Sequence, residues 1–432
     1  MRWWGLAVAA LAAACGGNAG GDPDAGGDAG GGPGAELVFD EAVVRTYELI
    51  VAPDDWQWLN DNATLEQYVP ATLRFEGAEY PGIGLRYKGG YGNLTLCVDG
   101  QGNQVCDKLS MKLDFAEYDP AGRFYGLKKI NLHSMVRDPS KLHDALGYGV
   151  FRAAGVYTAR TAHARVIVNG ELLGLFAVVE QIDGRFTSDR FGAIDGGDGN
   201  LYKEVWPVHT VPQPYLDALK TNEDQAPSAD KMVGFATALA SAGDAEFEAA
   251  LGAWIDLDYW ARYLAADRLI ENWDGIVAWY CVGGPCFNHN YYWYESAADD
   301  RVWPIPWDLD NAMEYPGLIR TQFGMPDWDE VPPASCDPVP VFLGIQGMPP
   351  ACDKLIGKSA ELLWDRYAAA SQELLDGPFS EATLMARIDF LAGVIADAVA
   401  EDPALDPAAW QTAVAALRDD VIGLRAYIAG KL

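Results

Sequence analysis

Three polar positions in the second half of the chain are of types that could do chemistry together: Asp274, Asn290 and Asp308. Asp274 closes the run Glu271-Asn272-Trp273-Asp274. His289 and Asn290 stand just before the strand-like Tyr291-Tyr292-Trp293-Tyr294, and Asp308 and Asp310 follow a second strand-like run, Val302 to Trp307. A carboxylate, an amide and a second carboxylate on a hairpin are what Mg-dependent phosphoryl transfer needs. One carboxylate orients the attacking hydroxyl, while the amide and the other carboxylate hold metal against phosphate oxygens. The order Asp, Asn, Asp is that of protein kinases, although neither His-Arg-Asp nor Asp-Phe-Gly occurs. Taken singly, each piece has a plainer reading. Two acids on a hairpin often form a solvated turn or a calcium clip, and aromatic runs usually pack a core. The set in this order favours a site.

Asn272-x-Asp274, His289-Asn290-Tyr291-Tyr292-x-Tyr294 and Pro306-Trp307-Asp308 together resemble the signature of the CotH (spore coat protein H) kinase family, an atypical, secreted, kinase-like group. The resemblance runs from about Arg86 to Asn311. It implies an ATP- and Mg- (or Mn-) dependent transfer of phosphate to Ser or Thr of an exported or surface protein. Asp274 would be the catalytic base. Asn290 and Asp308 would hold the metal, with Asp310 as a helper.

The elements upstream would have to present phosphate-binding cations. In Gly82-Ile83-Gly84-Leu85-Arg86-Tyr87-Lys88-Gly89-Gly90-Tyr91-Gly92, glycines allow backbone N–H groups close to a phosphate, and Arg86 and Lys88 add charge. A tight hairpin is the plainer meaning. Alternation in Lys108 to Phe115 puts Lys108, Ser110 and Lys112 on one face. The resemblance assigns the ATP lysine to Lys112, with Lys108 as the rival. Asp138-Pro139-Ser140 reads as a helix start, capped by Asp138 with Pro139 at its first position. That helix would be the kinase-type regulatory helix, yet it carries no Glu to pair with Lys112. Asn169-Gly170 between alternating runs demands a type I′ turn. Glu180 then falls where a kinase hinge would meet adenine, Lys203 is a second phosphate candidate, and Trp303 is placed to stack on the base.

The 432 residues, half of them hydrophobic, can bury a large core. A net charge of −31 repels nucleic-acid phosphates and anionic lipid headgroups, so no nucleic-acid partner is expected. Residues 1–14, with Arg2 followed by an apolar stretch too short to span a bilayer, read as a signal peptide. Cys15 resembles a lipidation site, with Ala12 where the usual Leu stands. Residues 15–35 read as a flexible tether. An exported, lipid-anchored protein is therefore expected, touching membrane only through Cys15. The other six cysteines fall as close pairs, Cys97 with Cys106, Cys281 with Cys286 and Cys336 with Cys352. In an exported chain these suggest three short disulfides. His133, His143, His163 and His209 lack metal spacing and read as structural or surface residues.

The expected fold is α+β: an atypical protein-kinase-like two-lobed fold with a strand-rich N-lobe (about 36–185) and a helical C-lobe (about 186–432). Residues 314–353 read as an irregular, substrate-facing loop. Helical stripes at Leu384, Ile388, Leu391, Ile395 and Val399, and at Val414, Leu417, Val421, Leu424 and Ile428, read as core. Two other classes stay open. Fifteen Trp and twenty Tyr suit a glycan-binding or glycan-active surface protein, with Asp274 and Asp308 as an acid pair. A catalytically dead kinase-like adhesin is the other.

Overall fold

Alternating apolar residues build the first half. In the computed structural model, which describes residues 34–90, 94–102, 104–281, 283–317, 324–341 and 345–432, seven strands close into a barrel. They are β1 (Arg45–Val51), β2 (Val69–Phe75), β3 (Ala78–Tyr87), β4 (Met111–Asp114), β5 (Lys129–His133), β6 (Thr161–Val168) and β7 (Glu171–Glu180), in the order β1-β2-β3-β4-β5-β7-β6. Every second residue of β2 (Val69, Ala71, Leu73, Phe75) is buried. Leu49, Leu73, Leu85, Met111, Leu113, Ile130, Leu132 and Val178 fill the interior with a cluster around Phe124. The Asn169-Gly170 turn joining β6 and β7 has positive φ at both residues (51° and 87°), as a type I′ turn requires.

The expected protein-kinase-like two-lobed fold is not what forms. Such a fold needs an open N-terminal sheet. Here Arg45 to Leu49 of β1 pair in parallel with Ala164 to Val168 of β6, far along the chain, and close the sheet. Strand alternation reveals the apolar side of each strand but not its neighbour, so closure was not legible.

Eleven α-helices occur among the described residues. After α1 (Pro53–Asp61), α2 (His143–Ala153) lies between β5 and β6 and packs into the second core. Asp138 does not cap α2 as expected, since the helix begins five residues later. Its Oδ1 instead accepts from Ser140 N at 2.8 Å, and its Oδ2 accepts the His143 N–H at 2.8 Å. The second half contains α3 (Gly184–Asp195), β8 (Asn200–Lys203), α4 (Gln213–Asp217), α5 (Asp230–Ser241), α6 (Asp244–Gly252) and α7 (Leu257–Leu269). These are followed by β9 (Trp279–Cys281), β10 (Cys286–Phe287), β11 (Tyr291–Glu295), β12 (Val302–Pro306), β13 (Val339–Pro340) and β14 (Gln346–Met348), and by α8 (Lys354–Leu362), α9 (Trp364–Asp376), α10 (Glu381–Glu401) and α11 (Pro407–Ala429). Two small sheets result, β12-β11-β8 and β10-β9-β14-β13. The expected stripes of α10 and α11 are buried. The turn between them is locked onto the barrel by Asp402, whose Oδ2 lies 2.6 Å from Lys108 Nζ and accepts the Leu175 N–H at 2.7 Å.

All three cysteine pairs are disulfide-bonded. Cys15, the leader and nearly all of the tether lie outside the described residues, as do residues 91–92 of the glycine run and parts of 314–353. The start of that glycine run is strand rather than loop: Gly82 and Gly84 belong to β3.

Candidate active site

Three strands of one small sheet stop at the same level. In the β12-β11-β8 register, Tyr291 pairs with Pro306 and Tyr292 with Lys203. Just beyond those strand ends lie Glu204, Asn290 and Asp308, each in the left-handed region (φ 55°, 59° and 54°). Non-glycine residues there are uncommon, and Asn and Asp tolerate it best. The turns peel these side chains away from the sheet, and the chains stay tied. Asn290 N donates to Glu204 Oε1 at 3.2 Å, and Trp307 N donates to Asn290 O at 2.9 Å.

Asp274 comes to this edge from α7. The chain turns at Glu271 (φ 44°), and Asn272 is clamped, its Nδ2 donating to Asp267 Oδ1 at 3.0 Å while its carbonyl accepts from Arg268 at 2.7 Å. Gly275 is required, because a Cβ there would lie 2.2 Å from Asn272 Nδ2. Asn290 Nδ2 then donates to Asp274 Oδ2 at 2.9 Å, and Asn311 Nδ2 to the same oxygen at 3.3 Å. The Cys281–Cys286 disulfide, between Asp274 and Asn290 in sequence, joins β9 to β10. Asp274 and Asn290 are thus in direct contact, and Asp308 joins them through its charge. Burial, then the negative charges of Asp308 and Glu204, push the Asp274 carboxyl up to about 7, against the two amide hydrogen bonds. Burial, then Asp308 and Asp144, hold Asp310 well above the usual carboxylate range.

Across from the acids stands an outer face of the barrel. The register aligns Arg86 with Lys112, Lys112 with Asn131 and Asn131 with Val179. Val179 belongs to the second core while its neighbour Val178 fills the barrel, so this row faces outward, toward the second half. Lys112 makes no hydrogen bond or ion pair among the described residues. Burial, then Lys88, Arg86, Lys129 and Lys203, hold its ammonium well below the ordinary lysine value. Lys203 is the exception: its burial is outweighed by Glu204, Tyr292 and Asp308, which raise it. Arg86 is tied to Glu66 at 2.6 Å and lies over the Tyr68 ring.

Two expected adenine contacts are placed elsewhere. Glu180 pairs with Ile130, one register step from the Lys112 row, so it points to the opposite face. Its oxygens are held by Arg160 at 2.5 Å and Arg190 at 2.8 Å. Trp303 pairs with Tyr294 toward the far end of β12 and packs against Tyr157, Phe191 and Tyr259. Lys108, the rival to Lys112, is the buried partner of Asp402.

Sequence reasoning missed His133, Asp144, Asn311 and Glu204. His133, expected to be structural or superficial, has Nε2 2.9 Å from Lys88 Nζ and Nδ1 3.1 Å from Asp144 Oδ2 and 3.8 Å from Asp308 Oδ1. A faint signal existed: Lys88 and His133 each sit one alternation step along the strand from Arg86 and Asn131.

No three His, Cys, Asp or Glu side chains among the described residues converge as a ready metal cage. The donors at this edge are mostly oxygens: the mutually repelling carboxylates of Asp274, Asp308, Asp310 and Glu204 and the Asn290 amide, with His133 Nδ1 3.8 Å from Asp308 Oδ1. That set suits a hard divalent cation such as Mg, which keeps several waters and binds through one or two carboxylates together with phosphate.

The family model described as CotH kinase protein matches residues 85–429. The chain is also similar to inner spore coat protein H of Bacillus subtilis (strain 168), at 24% identity over 277 residues, covering 61% of this chain and 67% of that protein.

Proposed function

We propose that this chain, which belongs to the CotH kinase protein family, transfers the terminal phosphoryl group of ATP to a Ser or Thr hydroxyl of an exported or surface protein. One observation carries the reading. In a chain of net charge −31, strand register sets Arg86 beside Lys112, and Lys88, Arg86, Lys129 and Lys203 all press on Lys112, while Asp274, Asp308 and Asp310 crowd the facing edge. A cluster of cations beside a cluster of acids is relieved by a polyphosphate and a divalent metal bound together.

In this reading Asp274 accepts the proton of the attacking hydroxyl as its oxygen bonds to phosphorus and the bond to the ADP oxygen breaks. Its carboxyl near 7 suits a general base at neutral pH. Asn290 and Asp308 would hold the metal, with Asp310 beside them, and Mg or Mn bound there would neutralise charge on the phosphate oxygens. Lys112, Lys203 and Arg86 carry the remaining phosphate charge. The closed barrel serves as a rigid wall for the cation row, in place of an open kinase lobe.

The three disulfides suit an oxidising compartment, in keeping with an exported protein anchored by lipid at Cys15. No helix among the described residues is long and apolar enough to cross a membrane. The aromatic residues that motivated the glycan reading are mostly packed in the cores, with Tyr118 and Tyr315 exposed. The test is transfer from labelled ATP to a protein acceptor with Mg or Mn. The wild type should transfer and Asp274→Asn should not, at an unchanged melting temperature. Transfer by Asp274→Asn at the wild-type rate would refute the assigned roles, and nucleotide binding without turnover would favour a dead kinase-like adhesin.

A further inference from the structure

Of the two central lysines on the barrel face, Lys88 is the one tied to the acid edge. Its ammonium lies 5.4 Å from the centre of the Trp307 ring, and Trp307 immediately precedes Asp308. Asp308 is the strongest favourable charge acting on it and Asp144 the next, whereas the charges acting on Lys112 are cations.

The contact with His133 fixes a direction. An ammonium only donates, so His133 Nε2, at 2.9 Å, accepts. The ring proton then sits on Nδ1 and is donated to Asp144 Oδ2 at 3.1 Å. Asp144, near the start of α2, also accepts the Leu309 N–H at 3.3 Å, and Tyr148 of the same helix accepts the Asp308 N–H at 2.9 Å. One chain of contacts therefore runs from Lys88, just past the end of β3, through β5 to α2 and back to the hairpin carrying Asp308. It also answers a puzzle in the sequence. Helix α2 has no Glu for Lys112, but its Asp144 reaches a different lysine through an imidazole.

Resting on the phosphoryl-transfer reading, we infer that Lys88 holds the transferred phosphate of ATP, aimed by His133 and Asp144 as positioning residues. Lysine has three donors, and only the one to His133 is engaged among the described residues. A lysine side chain is flexible, so fixing it in advance by an acceptor and an aromatic face lowers the ordering cost of meeting phosphate. Lys112, farther into the strand row, serves the phosphates that ADP and ATP share.

The test compares ATP and ADP binding to the full chain with Mg, by titration calorimetry. Wild type should favour ATP by roughly 10- to 100-fold, the worth of a hydrogen bond to a charged group. Lys88→Met should erase that preference while leaving ADP affinity intact, and Lys88→Arg should keep part of it. Lys112→Met should weaken both nucleotides alike. His133→Asn should reduce the ATP preference less than Lys88→Met, and it decides the matter if Lys88→Met does not fold. An undiminished ATP preference in Lys88→Met, or in His133→Asn where that stands in, overturns the inference while sparing the phosphotransferase reading. A wild type that binds neither nucleotide defeats both.

Discussion

On the barrel face, Arg86, Lys112 and Asn131 stand side by side because β3, β4 and β5 pair in register. On the sheet edge, Glu204, Asn290 and Asp308 stand together because three strands end at one level and each chain turns left-handed there. The first set is held by continuous strand and can be varied one side chain at a time. The second depends on backbone turns and on a web of amide hydrogen bonds. Opposite charge is thus presented by two different devices. The barrel face supplies rigid spacing, and the edge supplies side chains freed from the pleat.

The sharpest way to break this comparison is to neutralise the edge. Asp308→Asn keeps the shape and removes a charge; transfer should fall by about 10³-fold or more, in the range of lost metal or base function. The melting temperature should change little, because Asp308 repels Asp274 and Asp310 but attracts Lys88 and Lys203. A large loss of stability instead would mean that the edge is structural.

The next test sets two lysines of one strand region against each other. Lys108→Met strands the fully buried Asp402 and should cost about 3–5 kcal/mol in chemical denaturation. Lys112→Met removes a cation with no partner among the described residues and should stabilise slightly while weakening ATP binding. Equal effects on folding would erase the distinction between them.

The pH response sharpens the edge further. The Asp274 carboxyl is raised to about 7, so between the ordinary carboxylate value and about 7 the folded state binds more protons than the unfolded. Its contribution to stability therefore falls as pH rises through that window. Mg with nucleotide should offset the loss at the upper end, and transfer should rise with pH along a limb near 7. Melting curves across this range should show the slope in wild type and a flatter one in Asp274→Asn.

The smallest expected effect concerns the base pocket. Trp303→Leu should cost a few kcal/mol of packing within its aromatic cluster and leave nucleotide affinity within about two-fold, well below the 1.4 kcal/mol of a tenfold change. A tenfold loss of affinity would restore Trp303 to the adenine site.

What the sequence could and could not disclose follows from these two devices. Asp274, Asn290 and Asp308 were legible because short motifs fix them beside strand ends and a helix end. Lys112 came from the resemblance; alternation alone grouped it with Lys108, which the fold pairs with Asp402. Barrel closure was not, because the pairing of β1 with β6 is non-local and leaves no mark in either strand's pattern. Glu180 was misread because hinge position was inferred from order along the chain, whereas a single register step sends it to the other face. The Lys88–His133–Asp144 chain joins three separate segments through single residues; alternation marks Lys88 and His133 only faintly and Asp144 not at all.

The claim that both regions grip one ligand is tested most directly by a double-mutant cycle on Mg-dependent ATP binding, using Lys112→Met, Asp308→Asn and their combination. If the barrel cations and the edge acids share one metal–nucleotide complex, each single change should weaken binding strongly and the double change should add little more. Fully additive losses, or ATP binding indifferent to Mg and to Asp308→Asn, would contradict it.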